Sequence, residues 1–517
     1  MGANTSTLPK RTFKPVVNEP EQLSNQELIE RLQCLLSKNT TTSEVFNEKG
    51  EYDLVEKTPV VSQEAQNNPI NAENLDVWET KLLSDPKNQL ALNCFTGNNI
   101  TDIIENNQAV SKANRNLFNY EVKFSGGPIT NQKSSGRCWI FASTNVFKSQ
   151  IKSKFSLDSF ELSQNYLFFY DKLEKSNYFL HNIIESAGEN LDSRLNQFLL
   201  DVPINDGGQW DMIVNLVEKY GLVPHDIYPD SFSATSSSRL NYIITNKLRE
   251  FALILRKLVN TEGMNSLNAK ENILSVKETM IKEIYSILAL TLGVPPKADD
   301  EIVWDYKDKF GNYLSITTTP KKFYKKILGV DATEYFSVIN DPRNDYNKLY
   351  TVDKLNNVLG GKPIEYVNAE LPTIKEILIK MIKKNEPVFF GSDVGKFEDT
   401  KLGLMDVNSW DYELGFGTNL NIDKKARLLT GSSQMTHAMV ITGVHLIDGK
   451  PVRWKVENSW GTDVGHDGYF IMTDEWFDQY VFQIVTSSKY APAELVSTWK
   501  SGDYQILPFY DPMGALA

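Results

Sequence analysis

The chain has 517 residues, 41% of them apolar and 23% charged, enough to bury a large core in more than one lobe. A formal charge of −12 argues against a general electrostatic grip on nucleic acid. Three widely spaced cysteines, Cys34, Cys94 and Cys138, are too few for a disulfide framework and form no CxxC or Cys/His ligand pattern. A reducing compartment is therefore expected, with no metal and no cofactor.

The chain opens on Met-Gly-Ala-Asn-Thr-Ser, which fits the M-G-x-x-x-[ST] acylation pattern with Gly2 as acceptor. A chance match in a Ser/Thr-rich tail is the alternative. One acyl chain would give only weak, reversible membrane association. The N-terminal residues show no charged-then-apolar secretory signal pattern. Residues 1–70 read as a polar, largely disordered extension with one short amphipathic stretch at 25–38.

From Asn71 the pattern becomes globular, and residues 71–235 are assigned to an N-terminal helical lobe. Within it, "NQKSSGRCWIF" (131–141) sets Cys138 where a polar loop turns into a helical apolar run, Ile140, Phe141, Phe147, Ile151 and Phe155. A thiol at a helix N-terminus meets unpaired N–H groups and the helix dipole, both of which favour the thiolate. Residues 236–300 carry two amphipathic stripes. Leu240, Ile243, Ile244, Leu248, Phe251, Leu255 and Leu258 form the first; Ile273, Val276, Met280, Ile281, Ile284, Ile287 and Leu288 form the second. They predict an inserted helical hairpin serving as core or as an assembly surface. The run "IYSILALTLGV" (284–294) is too short to span a bilayer. Residues 301–517 turn strand-like at 437–447, 452–460 and 468–473, predicting a β-rich lobe and an α+β fold with a cleft between the lobes.

A cysteine nucleophile needs a base, a side chain to orient that base, and an oxyanion donor. Five histidines are available. His181 lies in a helical context and His225 in a turn, while His445 and His466 have no orienting motif. His437, opening the strand "HAMVITG", is the candidate base. Asn458 in "VENSWG" is the candidate orienting amide, with Trp460 shielding the Asn–His hydrogen bond. Gln132, six residues before Cys138, is the candidate oxyanion donor together with the Cys138 backbone N–H.

"NQKSSGRCWIFAS", "THAMVITG" and "VENSWGTDVGHDGYF" resemble the papain-type cysteine peptidases, as do "FELSQNYLFFY" (160–170) and "DGGQWDMIVNLVEKYGLVPHDIYP" (206–229). The resemblance implies a papain-like two-lobed fold, one lobe helical and one β-barrel-like. It also implies that Gly207 and Gly208 line the substrate cleft with their backbone. Two positions where secreted members hold bonded cysteines are Ser135 and Asn205, which fits an intracellular, cytoplasmic enzyme. Cys138 and His437 stand 299 residues apart, against about 130–150 in the family, so roughly 150 residues are inserted. With "VINDPRNDY", "NVLGGKP" and the tail "DPMGALA", the chain resembles the bleomycin hydrolases from Asn71 to Ala517.

That resemblance implies a thiol aminopeptidase for small peptides, aminoacyl amides, bleomycin-like amides and homocysteine thiolactone. It further implies a homohexameric ring, and a C-terminus, Ala517, that lies in the cleft and receives the substrate's amino group. The alternative expectation is a nucleic-acid-binding regulatory ring with secondary peptidase activity, for which "TTTPKKFYKKILG" (317–329) is the feature to inspect.

Overall fold

A computed structural model describes residues 70–263 and 266–516. Gly2, the extension with its 25–38 stretch, and Ala517 lie outside the described residues.

Two short helices open the described chain, α1 (Ala72–Leu83) and α2 (Pro86–Phe95). Asn71 caps α1 by accepting the Asn74 N–H at 2.7 Å. Neither helix buries a residue. The helical lobe follows, with α3 (Cys138–Phe155), α4 (Gln164–Glu185), α5 (Arg194–Asp201) and α6 (Trp210–Tyr220). α4 is buried along most of its length because other helices cover it on several sides.

The expected hairpin is α7 (Ser238–Glu262) and α8 (Leu267–Leu292), each packed on α4 and on the other. Its apolar stripe faces inward: Leu240, Ile244, Leu248, Phe251 and Leu255 are buried on α7, and Ile273, Met280, Ile284 and Leu288 on α8. Ile243 is exposed, as are Tyr242, Leu253 and Ile254. Both helices stop at glycines of positive φ, Gly263 (73°) and Gly293 (91°), a conformation that side-chain-bearing residues resist.

Strands β1 (Ile302–Lys307) and β2 (Tyr313–Thr318) form a separate hairpin. Its Trp304 packs against Phe155 at 5.4 Å and Phe160 at 5.3 Å, on the helical side. The sequence reading grouped this segment with the β-rich lobe by its place in 301–517, where the strand-like runs lay further along the chain. The main sheet contains β3 (Tyr335–Ile339), β4 (Leu349–Val352), β5 (Tyr366–Asn368), β6 (Val388–Ser392), β7 (His437–Ile447), β8 (Lys450–Glu457), β9 (Tyr469–Thr473), β10 (Val481–Ser487) and β11 (Tyr504–Leu507). Their order is β11-β4-β5-β3-β10-β6-β7-β8-β9. β7 is central, with His437 opposite Ser392 of β6 and Val440 opposite Glu457 of β8.

The architecture is therefore α+β, with two apolar clusters. One surrounds α3, α4 and the hairpin; the other lies between the sheet and the helix α9 (Leu371–Lys383). α3 lies along β7, and that contact sets the first residue of the helix beside the first residue of the strand.

Candidate active site

The loop before α3 and the segment after β8 pair as extended backbone. Gln132 N–H donates to Ser459 O at 2.8 Å and Gly461 N–H to Thr130 O at 3.0 Å, with Asn131 bridged to Trp460. This short ladder carries residues of the helical lobe to the end of the sheet. Deeper in, buried Glu457 accepts Lys148 Nζ at 2.9 Å and the Gly126 N–H at 2.9 Å, a second tie between the lobes.

Cys138 opens α3 and is buried. Arg137 at the N-cap provides no side-chain cap, so the first N–H groups of the helix stay available. The guanidinium of Arg137 turns away, held by Asp230 at 2.7 and 3.0 Å. Burial pushes the Cys138 thiol up to about 11, while the N–H groups of Ala438, Trp139 and Cys138 itself pull it down and the Asp206 charge adds to the rise. The sulfur thus lies against the amide that follows His437.

His437 is buried, and its Nε2 stands 2.9 Å from Asn458 Oδ1. The same Oδ1 accepts the Ser459 N–H at 2.8 Å, which fixes the amide orientation. Nε2 must then be the donor, and Nδ1 is left unprotonated in the neutral ring. The Trp460 ring lies 4.9 Å from the imidazole, tilted by 33°. Burial pulls the His437 imidazolium down to about 4, against the Asn458 hydrogen bond that raises it. The helix N-terminus favours a thiolate, but here burial holds the thiol and the imidazole, each taken alone, in their neutral forms. Moving the thiol proton to the imidazole creates both charges together, so the two titrations belong to the pair.

Gln132 is also buried. Its Oε1 accepts the Ser459 hydroxyl at 2.7 Å, and its Nε2 donates one hydrogen to Ser135 O at 2.6 Å. One N–H remains for an oxyanion. Ser459 is a residue the sequence reading passed over, hidden between Asn458 and Trp460 in a motif read for its ends.

The glycine pair has a packing role. A Cβ on Gly208 would meet the Trp139 ring at 2.5 Å, and Gly207 O accepts Lys175 Nζ at 2.5 Å. Trp139 Nε1 donates to Asp206 O at 2.6 Å. Asp206 itself escaped the sequence reading. Its carboxylate takes Lys172 Nζ at 2.6 Å, Asn241 Nδ2 at 2.7 Å, Ser237 Oγ at 2.5 Å and the Gly136 N–H at 3.0 Å.

The chain's own tail lies beside the glycine pair. Gln209 Nε2, next to the glycine pair, donates to Ala515 O at 2.7 Å. Gly514, Ala515 and Leu516 line a cavity of about 610 Å³ with Ile204, Met435 and Thr436, the last adjoining His437.

Among the described residues, no group of three or more His, Cys, Asp or Glu is placed to hold a metal, and no helix is long and apolar enough to cross a membrane. In 317–329 the aromatics Phe323 and Tyr324 are fully buried, and Lys325 pairs with Glu218. The segment offers no aromatic face on which a base could stack.

Comparison with known proteins agrees with the geometry. Residues 69–514 match the peptidase C1-like family. Bleomycin hydrolase of Mus musculus is 43% identical over 459 residues, 87% of this chain and 99% of that protein. Cysteine proteinase 1, mitochondrial, of Saccharomyces cerevisiae (strain ATCC 204508 / S288c) is 42% identical over 467 residues, 89% of this chain and 96% of that protein. The crystal structure of PepW from Lactobacillus rhamnosis HN001 superposes with a TM-score of 0.83 at 43% identity, covering 87% of this chain and 99% of that one.

Proposed function

Since the chain belongs to the peptidase C1-like family and is a cysteine peptidase of bleomycin hydrolase type with a papain-like α+β fold, we propose that it is a thiol aminopeptidase acting through Cys138, His437, Asn458 and Gln132. His437 Nδ1 takes the Cys138 proton as the sulfur attacks the first peptide carbonyl. The oxyanion is received by Gln132 Nε2 and the Cys138 N–H. The imidazolium returns its proton to the departing amine, and water activated by His437 then hydrolyses the thioester. Asn458 holds the ring in the tautomer this sequence of steps requires, and Trp460 covers that hydrogen bond.

The observation that carries the aminopeptidase reading is the Gln209–Ala515 hydrogen bond beside the glycine pair. A tail anchored there occupies space that a longer peptide would need. Small peptides, aminoacyl amides and bleomycin-like amides fit this selection, and homocysteine thiolactone shares the acyl and amine groups.

Two measurements test the reading. Cys138→Ala should abolish turnover of aminoacyl amides with the fold intact, and retained turnover would overturn the nucleophile assignment. Free-amine peptides should be cleaved and N-acetylated ones spared; equal cleavage would remove the aminopeptidase reading. The exposed apolar residues of the hairpin, Leu253 and Ile254 on α7 with Leu274 and Leu290 on α8, support self-association into a homohexamer, to be measured by sedimentation. A cytoplasmic location and acylation of Gly2 belong to the same proposal, to be read by cell fractionation and intact mass.

A further inference from the structure

The C-terminal segment passes from the sheet to the helical lobe in a few residues, and Arg343 ties it to the sheet. β11 pairs in parallel with β4. The chain then sets Phe509 against Phe198 of α5 at 5.0 Å and Tyr510 under the Arg194 guanidinium at 3.4 Å. Asp511 opens a one-turn 3-10 segment, Pro512–Gly514, and its Oδ1 accepts both the Met513 N–H and Arg343 Nη2 at 2.8 Å.

Arg343 cannot follow the tail, because its Nε and Nη2 also donate to Asp341 Oδ1 and Oδ2 at 3.0 and 2.8 Å. Asp341 is fully buried just beyond β3, and its backbone N–H donates to Asn368 Oδ1 at 2.9 Å. The tail is thus tied to the sheet through Asn368, Asp341, Arg343 and Asp511 in series. Past this tie Met513 is buried, and Ala515 reaches Gln209 across the cleft.

Two carboxylates share one guanidinium here, with the side chains of Arg343 and Asp511 only 11% and 10% exposed. Without the cation Asp511 would face the Asp341 charge, and the turn would be repelled from its seat. We infer that Arg343 is a specificity-determining residue, fixing Asp511 and thereby how the tail segment through Leu516 is held beside Gln209. The inference rests on the aminopeptidase reading above and adds a control point outside the tail. Arg343 acts through Asp511 and is a positioning residue.

The test compares a free aminoacyl amide with an N-acetylated peptide amide. The enzymes are wild type, Arg343→Met, Asp511→Asn, a form lacking residues 512–517, and that form carrying Arg343→Met. Each full-length variant should raise the ratio of blocked to free cleavage by about tenfold or more. In the shortened enzyme Arg343→Met should leave the ratio where the truncation set it. A full-length Arg343→Met that lowers both substrates equally, or that shifts the ratio again without the tail, would make the residue merely structural. Asp511→Asn covers the case in which Arg343→Met does not fold, since an unchanged ratio there overturns the inference. If truncation alone leaves the wild-type ratio, the tail reading itself falls, separately from the clamp.

Discussion

The carboxylate of Asp206 accepts the backbone N–H of Gly136 at 3.0 Å, joining the residue before the glycine pair to the loop that presents Cys138. The sequence led us to note that Ser135 and Asn205 replace a bonded cysteine pair of secreted relatives. The immediate neighbours of both positions make the connection instead. Burial pushes the Asp206 carboxyl up, but Lys172 and the hydrogen bonds from Lys172, Ser237 and Gly136 outweigh it and hold it well below the ordinary carboxylate range.

Asp206→Ala should therefore cost about 3–5 kcal/mol of stability at neutral pH, because buried Lys172 loses its counter-charge. A carboxyl depressed on folding stabilises above its unfolded pKa of about 3.9 and loses that contribution as pH falls through the lower folded value. Urea denaturation of the two proteins should differ at pH 7 and converge only in strong acid. A difference that vanishes already near pH 6 would contradict the assignment.

Gln132→Ala should lower kcat by about 10²- to 10³-fold with little change in KM, the behaviour of a donor used in the transition state. Ser459→Ala should cost less. It only holds the Gln132 oxygen, and so orients the amide without touching the oxyanion. Steady-state kinetics on one aminoacyl amide separates the two, and a Ser459 effect exceeding that of Gln132 would reverse their roles.

The pH profile follows from the two buried partners. With the imidazolium held down to about 4, His437 remains a neutral base well below the range of an ordinary histidine. The acid limb of kcat/KM should fall below pH 6, and it reports the Cys–His pair as a unit. With the thiol raised to about 11, alkylation of Cys138 in the free enzyme should accelerate toward alkaline pH. An iodoacetamide profile already flat from pH 6 would show a resting ion pair instead.

Gly208→Ala should damage both folding and turnover. The new methyl would lie 2.5 Å from the Trp139 ring, and Trp139 is pinned by its bond to Asp206 O. Overpacking of this kind costs about 1–3 kcal/mol. Thermal melting alongside kinetics checks it; an unperturbed variant would mean the ring can yield.

Much of this could be read from the chain because its chemistry is written in local words. Cys138 precedes a helical stripe, His437 opens an apolar strand that is buried from its first residue to Val444, and Asn458 follows the end of the next strand. The hairpin α7–α8 was legible from its 3.6-residue periodicity. Asp206, Ser459 and the Arg343–Asp511 pair were not, since their partners are separated by 31 to 327 residues and only folding brings them together. The β1–β2 hairpin shows the same limit, and the burial of Phe323 and Tyr324 shows that basic residues among aromatics need not form a surface.

The ladder between 130–132 and 459–461 has a consequence for how the molecule ages. Because Cys138 and His437, the proposed nucleophile and base, come from opposite halves fastened by a few main-chain bonds, no fragment should inherit half of the proposed activity. A nick or local melting that loosens either half silences the whole, so turnover doubles as a gauge of the chain's integrity.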